Sequence, residues 1–172
     1  MTMPENEPAI SALRDRTQVS PDTLARLHRR LEFAAQDDGL LDIAYRTLET
    51  PVGNLLLAAT EKGLLRIAYE REDHDAVLAG LAEHVSPRIL RAPARLDEVA
   101  FELDQYFART RTAFDLPLDF SLAHGFRRDV QQYLPAIPYG QTRSYAQVAD
   151  QVGNPQAVRA VGTACAPNAL PI

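Results

Sequence analysis

Two short helices joined by a glycine are the feature that most restricts the fold of this 172-residue chain. Ser144 followed by Gln147 three residues later has the pattern of a capping box and predicts a helix start. Gly153 can end that helix in a left-handed conformation, and Asn154 with Pro155 predicts that a second helix begins at once. Two helices separated by so short a turn cannot be collinear. Residues 144–166 are therefore predicted to form a helix-turn-helix.

The second of these helices is predicted to have two unlike faces. Helical spacing places Val158, Val161 and Cys165 on a core face. The outer face holds short or uncharged side chains around one arginine: Gln156, Arg159, Ala160 and Thr163. Small side chains let a helix approach another surface closely, and one long cation can then reach beyond them. An ordinary helical hairpin with a solvated arginine explains the same pattern, so the pattern alone leaves both interpretations open.

Upstream of the helix pair, the hydrophobic pattern is that of a small sheet with covering helices. Three apolar runs separated by two short turns predict an antiparallel meander. The runs cover residues 43–48, 54–60 and 64–69, and the turns are Thr50-Pro51-Val52-Gly53 and Glu61-Lys62-Gly63. Further predicted elements are a helix over 77–85, a short strand at Ile89-Leu90, a helix opening at Pro93, an extended linker over 115–120 and a helix over 126–134 that Pro135 ends.

These patterns predict an α+β protein with three parts. Residues 40–120 form a small antiparallel-sheet domain, and residues 121–172 form a helical, winged helix-turn-helix-like domain that is incomplete at its C-terminal end. Residues 1–39 form a partly helical extension. Ser20 and Pro21 predict the start of a helix that runs to about Ala35, with Leu24, Leu27, His28 and Leu31 on one face. This helix is interpreted as a packing element or a tether.

Composition narrows the class of protein. A hydrophobic fraction of 46% and a charged fraction of 24% are typical of a globular protein. No apolar run is long enough for a membrane span, and the first residues lack the pattern of a signal peptide. A single cysteine, Cys165, excludes an internal disulfide and a cysteine-rich zinc site. We expect a cytoplasmic monomer with no membrane partner and no metal.

The charge is unevenly distributed along the chain. The net charge is −5. From His124 onward there are four arginines and two acids, a net charge of +2, whereas the remainder has 14 basic and 21 acidic residues, a net charge of −7. The C-terminal segment is therefore the part that could face a polyanion. An uneven surface without such a partner explains the same numbers.

Several motifs in the C-terminal half coincide in order and spacing with a known family. They are Pro138-Tyr139-Gly140-Gln141-Thr142-Arg143-Ser144-Tyr145, Gly153-Asn154-Pro155, Val158-Arg159-Ala160-Val161-Gly162 and Asn168-Ala169-Leu170-Pro171-Ile172. This run is similar to the DNA-binding domain of the O6-alkylguanine-DNA alkyltransferases, the methylated-DNA–protein-cysteine methyltransferase family. The hairpin at Thr50-Pro51-Val52-Gly53 resembles the start of that family's ribonuclease H-like N-terminal domain. The resemblance covers roughly residues 41–172.

The resemblance implies repair of O6-alkylguanine in double-stranded DNA by transfer of the alkyl group to a protein cysteine, without a cofactor. The damaged nucleotide is flipped out of the stack. Arg159 matches the arginine that fills the vacated space, and Tyr145 matches a tyrosine that displaces the neighbouring phosphate. Ala157, Ala160 and Gly162 would permit close approach to the minor groove. Asn168 and Pro171 match positions that orient and line the nucleotide pocket.

For three of these residues a purely structural role is an alternative. Tyr145 could pack its ring on the core, Asn168 could bond its own backbone, and Pro171 could simply interrupt the loop.

The family's reactive cysteine belongs to a Pro-Cys-His-Arg motif that would follow Ile172. We therefore expect no catalytic residue within this sequence, and we expect the chain as written to be inactive and a fragment. A naturally short, non-catalytic relative is the alternative. Cys165 is out of register with the nucleophile and is interpreted as a small buried hydrophobe. Two other functions stay open: a DNA-binding or regulatory module that recognises alkylated DNA without chemistry, and an interaction module that does not bind DNA.

Overall fold

The computed structural model describes residues 19–171 of the chain. The contacts between residues divide the chain after Gly39 into two units, residues 1–39 and residues 40–172.

The described part of the first unit is one helix, α1, over Pro21–Asp37. The Ser20 hydroxyl accepts a hydrogen bond from the Thr23 amide at 3.2 Å, which satisfies one of the free amides of the first turn. The predicted helix start is confirmed, and the helix ends two residues later than predicted. Leu24, Leu27 and Leu31 are each about half exposed.

The second unit begins with a four-stranded sheet in the order β3-β2-β1-β4. The strands are β1 (Ile43–Thr50), β2 (Gly53–Thr60), β3 (Gly63–Tyr69) and β4 (Ile89–Arg91). Neighbouring strands among the first three are antiparallel, which confirms the predicted meander. The short strand predicted at Ile89-Leu90 is also confirmed, and it lies parallel to β1.

Helices cover both faces of this sheet. Helix α2 (His74–His84) follows a 3-10 turn at Glu70–Glu72, and α3 (Asp97–Phe107) follows a 3-10 turn at Pro93–Leu96. One buried cluster lies on each side. The first is Ile43, Ala58, Leu65 and Leu81, and the second is Leu55, Leu57, Ala59, Leu64, Ile67, Leu96, Val99 and Leu103.

The helix that the sequence predicts from Pro93 begins as a 3-10 turn instead. The backbone at Leu96 is non-helical, so it separates this turn from α3, and the Leu96 side chain lies in the core.

The outer edge of β3 is paired by two segments that are distant in sequence. The Leu64 amide donates to the Pro117 carbonyl and the Asp119 amide donates to the Leu64 carbonyl, both at 2.8 Å. Farther along the same edge, the Ile67 amide donates to the Ala169 carbonyl at 2.8 Å. The extended linker predicted over residues 115–120 therefore pairs with the sheet, and the loop after the last helix is fixed to the same strand.

The remainder of the second unit is helical. It contains α4 (Phe126–Tyr133), a 3-10 turn at Leu134–Ala136, α5 (Tyr145–Gln151) and α6 (Val158–Cys165). The three helices share a core of Val130, Val148, Ala149, Val161 and Ala164. The α+β fold class is confirmed: a small sheet with covering helices precedes a helical segment. The boundary between residues 40–120 and residues 121–172 stays a prediction.

Candidate nucleic-acid interface

Helix α5 begins at the capping box that the sequence predicts. The Ser144 hydroxyl accepts from the Gln147 amide at 3.3 Å, and the Gln147 side chain accepts from the Ser144 amide at 2.8 Å. Two of the free amides at the helix start are thereby satisfied by side chains of the same segment. The start of α5 is thus determined by local sequence.

The turn after α5 differs from the prediction. Gly153 has a φ of 75°, as predicted, and the Asn154 amide closes the end of α5 on the Ala149 carbonyl at 2.8 Å. The second helix does not begin at Asn154 and Pro155. The Asn154 carbonyl accepts from the Ala157 amide at 2.9 Å, so the chain completes a separate turn first. Helix α6 therefore begins at Val158, with Ala157 as its N-cap residue.

Helix α6 presents a buried face and an exposed face. Val161 is fully buried and Ala164 is nearly so, and both pack against α4 and α5. The prediction that Val158 belongs to this core face was wrong, because Val158 lies in the first turn at the edge of the packing and is 36% exposed. Arg159 and Ala160 are exposed on the opposite side. Within residues 19–171 the Arg159 guanidinium has no hydrogen bond or ion pair.

Tyr145 lies beside this exposed face. Its side chain is 52% exposed, so the ring is not a core element. A Cβ placed on Gly162 would lie 3.2 Å from the Tyr145 Cε2 atom, a contact closer than ordinary packing. The ring of Tyr145 therefore lies against the backbone of α6, and the lack of a side chain at Gly162 makes room for it. The Tyr145 ring is thus packed on one helix and still about half exposed, and its role at the phosphate stays a prediction.

The loop after α6 is held by its own asparagine. The Asn168 side chain accepts from the Leu170 amide at 3.1 Å and donates to the Leu170 carbonyl at 3.0 Å. This is the backbone-bonding role that the sequence leaves open as an alternative. Leu170 packs against the sheet core, and Pro171 is exposed. The loop is thus a fixed structure on the edge of β3.

Asn168 and Pro171 both line a cavity of about 410 Å³. Most of its wall is apolar and comes from α3, β3, residues 112–120 and the segment around Pro138. The lining residues include Leu64, Ile67, Val99, Leu103, Phe114, Leu116, Leu118, Phe120 and Ile137. Tyr106 and Tyr139 add two rings in edge-to-face contact, with centroids 6.2 Å apart. The two residues predicted to form a nucleotide pocket therefore share one concave wall.

Two polar residues that fix this loop were missed in the sequence. Gln131 is buried, and its amide donates to the Ala164 carbonyl at 3.1 Å and to the Pro167 carbonyl at 3.2 Å. Arg66 donates to the Asn168 carbonyl at 3.2 Å. Arg66 carries a signal, since it is a charge inside an otherwise apolar strand. Gln131 carries no such signal, because a glutamine beside the apolar face of a helix is usually solvated and nothing in the sequence marks this one as buried.

Cys165 lies at the C-terminal end of α6 and is partly buried against the helical core. Burial raises the pKa of its thiol, which lowers the fraction of nucleophilic thiolate. This environment agrees with a packing role for Cys165.

Within residues 19–171, no three His, Cys, Asp or Glu side chains come together in a way that could hold a metal ion. No helix in that range is long and apolar enough to cross a membrane.

Comparison with known families accounts for both parts of the second unit. Residues 43–120 match the ribonuclease-like domain of 6-O-methylguanine DNA methyltransferase, and residues 125–172 match its DNA binding domain. The chain belongs to the 6-O-methylguanine DNA methyltransferase family. The constitutive methylated-DNA–protein-cysteine methyltransferase of Bacillus subtilis is 41% identical to it over 128 residues, which are 74% of each chain.

Solved structures of this family have the same fold. The O6-methylguanine methyltransferase of Mycobacterium tuberculosis has a TM-score of 0.63 and 33% identity, over 74% of this chain and 72% of that one. The same organism's OGT in complex with DNA has a TM-score of 0.61 and 35% identity, over 75% of this chain and 73% of that one. The relationship inferred from the motifs in the C-terminal half is confirmed.

Proposed function

We propose that this chain recognises O6-alkylguanine in double-stranded DNA for repair by direct reversal, in which the alkyl group is transferred to a cysteine of the protein. The observation that carries this proposal is the exposed face of α6, where Arg159, unpaired within residues 19–171, extends from a surface of small residues. Membership of the methyltransferase family supports the same activity. The DNA complex of the Mycobacterium tuberculosis relative supports duplex DNA as the partner.

Each part of the proposed interface has a physical role. A guanidinium can stack on bases and donate hydrogen bonds to an unpaired partner base, so Arg159 would occupy the space of the flipped nucleotide. Ala157, Ala160 and Gly162 would let α6 approach the minor groove closely. Tyr145, which lies against Gly162, would meet the phosphate beside the lesion. Asn168 and Pro171 would form one wall of the nucleotide pocket.

The alkyl acceptor is not assigned to Cys165. Its thiol is partly buried with a raised pKa, and it packs with the helical core. The family resemblance implies a reactive cysteine within a Pro-Cys-His-Arg motif, and Cys165 is not part of such a motif. Non-catalytic binding of alkylated DNA is the second candidate function, and the environment of Cys165 favours it for residues 1–172 taken alone.

Binding to matched duplexes tests the recognition step. The chain should bind a duplex with one O6-methylguanine more tightly than the same duplex without it. Arg159→Ala should weaken lesion binding by about 5- to 150-fold, since stacking on a base contributes about 1–3 kcal/mol. Arg95→Ala removes the same charge from the turn before α3 and should leave the preference unchanged. Equal affinity of the wild-type chain for both duplexes would contradict the proposal.

Label transfer tests the assignment of the acceptor. A duplex with radiolabelled O6-methylguanine should leave no label on Cys165 of the 172-residue chain, whatever its binding affinity. Peptide mapping after digestion locates any label, and Cys165→Ser provides the control. Label on Cys165 that disappears in this variant would overturn the assignment.

A further inference from the structure

Arg66 is the charged residue within the otherwise apolar strand β3. Its side chain is only 17% exposed, although an isolated guanidinium strongly favours water. Strand β3 has the sheet on one edge and the loop after α6 on the other. A partly buried cation at this position needs specific partners, and its partners lie on the loop and in the turn after the strand.

The Arg66 guanidinium joins these two partners. One terminal nitrogen, Nη1, donates to the Asn168 carbonyl at 3.2 Å. The other, Nη2, forms an ion pair with the Glu72 carboxylate. Glu72 is itself fixed, because its second oxygen accepts from the Tyr69 amide at 2.9 Å. Glu72 therefore fixes the position of the guanidinium, and the Asn168 carbonyl accepts from a group that has little freedom to move.

Asn168 is the residue of the loop on which the proposed pocket depends. Its side chain bonds the Leu170 backbone, so its direction follows the backbone of residues 168–170. The Ile67–Ala169 hydrogen bond and the Leu170 side chain attach the loop one and two residues later. Arg66 supplies the attachment at Asn168 itself, at the start of the pocket wall.

We infer that Arg66 is a positioning residue that sets the orientation of Asn168 and thereby the discrimination between lesion and plain DNA. This inference rests on the function proposed above. Arg66 lies in β3 and is not part of the exposed face of α6, through which the chain is proposed to approach the duplex. Loss of Arg66 therefore reduces the preference for lesion DNA and leaves affinity for plain duplex unchanged.

A closely matched control exists in the same sheet. Arg46 in β1 donates to the Pro93 carbonyl at 3.3 Å and pairs with Asp97 at 2.7 Å, and its side chain is 19% exposed. Arg46 and Arg66 thus have the same kind of contacts, a carboxylate and a backbone carbonyl, at nearly the same burial. Of the two arginines only Arg66 contacts the loop, so the comparison separates a positioning effect from a general loss of stability.

The experiment measures Kd for the O6-methylguanine duplex and for the plain duplex with the 172-residue chain. Arg66→Ala should lower the ratio of the two affinities by about tenfold, the scale of one charge-assisted hydrogen bond. Arg66→Lys keeps the charge without the two-pronged geometry and should give an intermediate ratio. Arg46→Ala should leave the ratio unchanged. An unchanged ratio in Arg66→Ala, or an equal loss in Arg46→Ala, overturns the inference.

Amide hydrogen exchange tests the attachment of the loop in the absence of DNA. In Arg66→Ala the Ile67 amide, which donates to the loop, should exchange about tenfold faster, whereas the Leu64 amide, which donates to Pro117, should not. Equal acceleration of both amides would show general destabilisation and overturn the inference. If the wild-type chain lacks lesion preference but Ile67 alone responds, the proposed function fails and the positioning of the loop by Arg66 stands.

Discussion

The buried amide of Gln131 offers a direct measure of what holds the end of α6. Its Nε2 group donates to two backbone carbonyls, those of Ala164 and Pro167. Gln131 is 4% exposed, so water cannot readily replace these bonds. Replacement by leucine keeps a similar volume but removes both donors and leaves the two carbonyls without this partner.

The expected cost of Gln131→Leu follows from these contacts. Removal of the donor leaves each carbonyl without its partner, at a cost of about 1–3 kcal/mol for each buried carbonyl. We expect the free energy of unfolding to fall by about 2–4 kcal/mol, since leucine recovers part of the loss through apolar burial. For a domain of this size that corresponds to a decrease in Tm of roughly 5–15 °C.

Thermal and urea unfolding followed by circular dichroism measure this loss. Gln132→Leu is the matched control, because Gln132 is the next residue of α4 and is exposed. That change should alter stability by less than about 0.5 kcal/mol. If both variants lose the same stability, or if Gln131→Leu stays within about 0.5 kcal/mol of wild type, the two hydrogen bonds do not hold the end of α6 as described.

Two further predictions concern the sheet. At Gly63, with a φ of 138°, a Cβ would lie 2.2 Å from the Pro117 carbonyl oxygen. Gly63→Ala should therefore lower the free energy of unfolding, measured in urea, by about 3–5 kcal/mol through backbone strain and lost hydrogen bonds at the sheet edge. The control is Gly80→Ala in α2, where a Cβ meets open space, and it should leave stability unchanged or raise it. Hydrogen bonds from Ser86 and Arg88 lower the pKa of Asp42 in the folded chain. The ionised Asp42 carboxylate therefore stabilises the fold at pH values above its unfolded pKa of about 4. This stabilisation is lost as the pH falls through the lower pKa of the folded chain. The stability difference between wild type and Asp42→Asn should shrink from pH 6 to pH 2, and a constant difference in urea titrations would refute this linkage.

Features set by neighbours in the chain were predictable from the sequence. The capping box at Ser144 and the left-handed Gly153 depend on groups within a few residues of each other, so local chemistry specifies them. The three-stranded meander follows from alternating runs and short turns for the same reason. The exposure of Arg159 followed from helical periodicity, because a helix that packs one face must expose the other.

Errors arose where local patterns allowed two outcomes. Asn154 and Pro155 are good residues for a helix start, but the Asn154 carbonyl accepts from the Ala157 amide, only three residues later. The chain therefore makes a separate turn, and α6 begins at Val158. That shift also explains why Val158 lies at the edge of the helical core and is partly exposed.

The sequence by itself determined the strands, the capped starts of α1 and α5 and the exposed face that carries Arg159, since each depends on periodicity or on caps within one turn. Only the tertiary structure decided how the loop at Asn168 is held. Arg66 and Asn168 are 102 positions apart, and Gln131 and Pro167 are 36 apart. No local pattern specifies such pairs, because their hydrogen bonds exist only after the sheet and the helices have packed together.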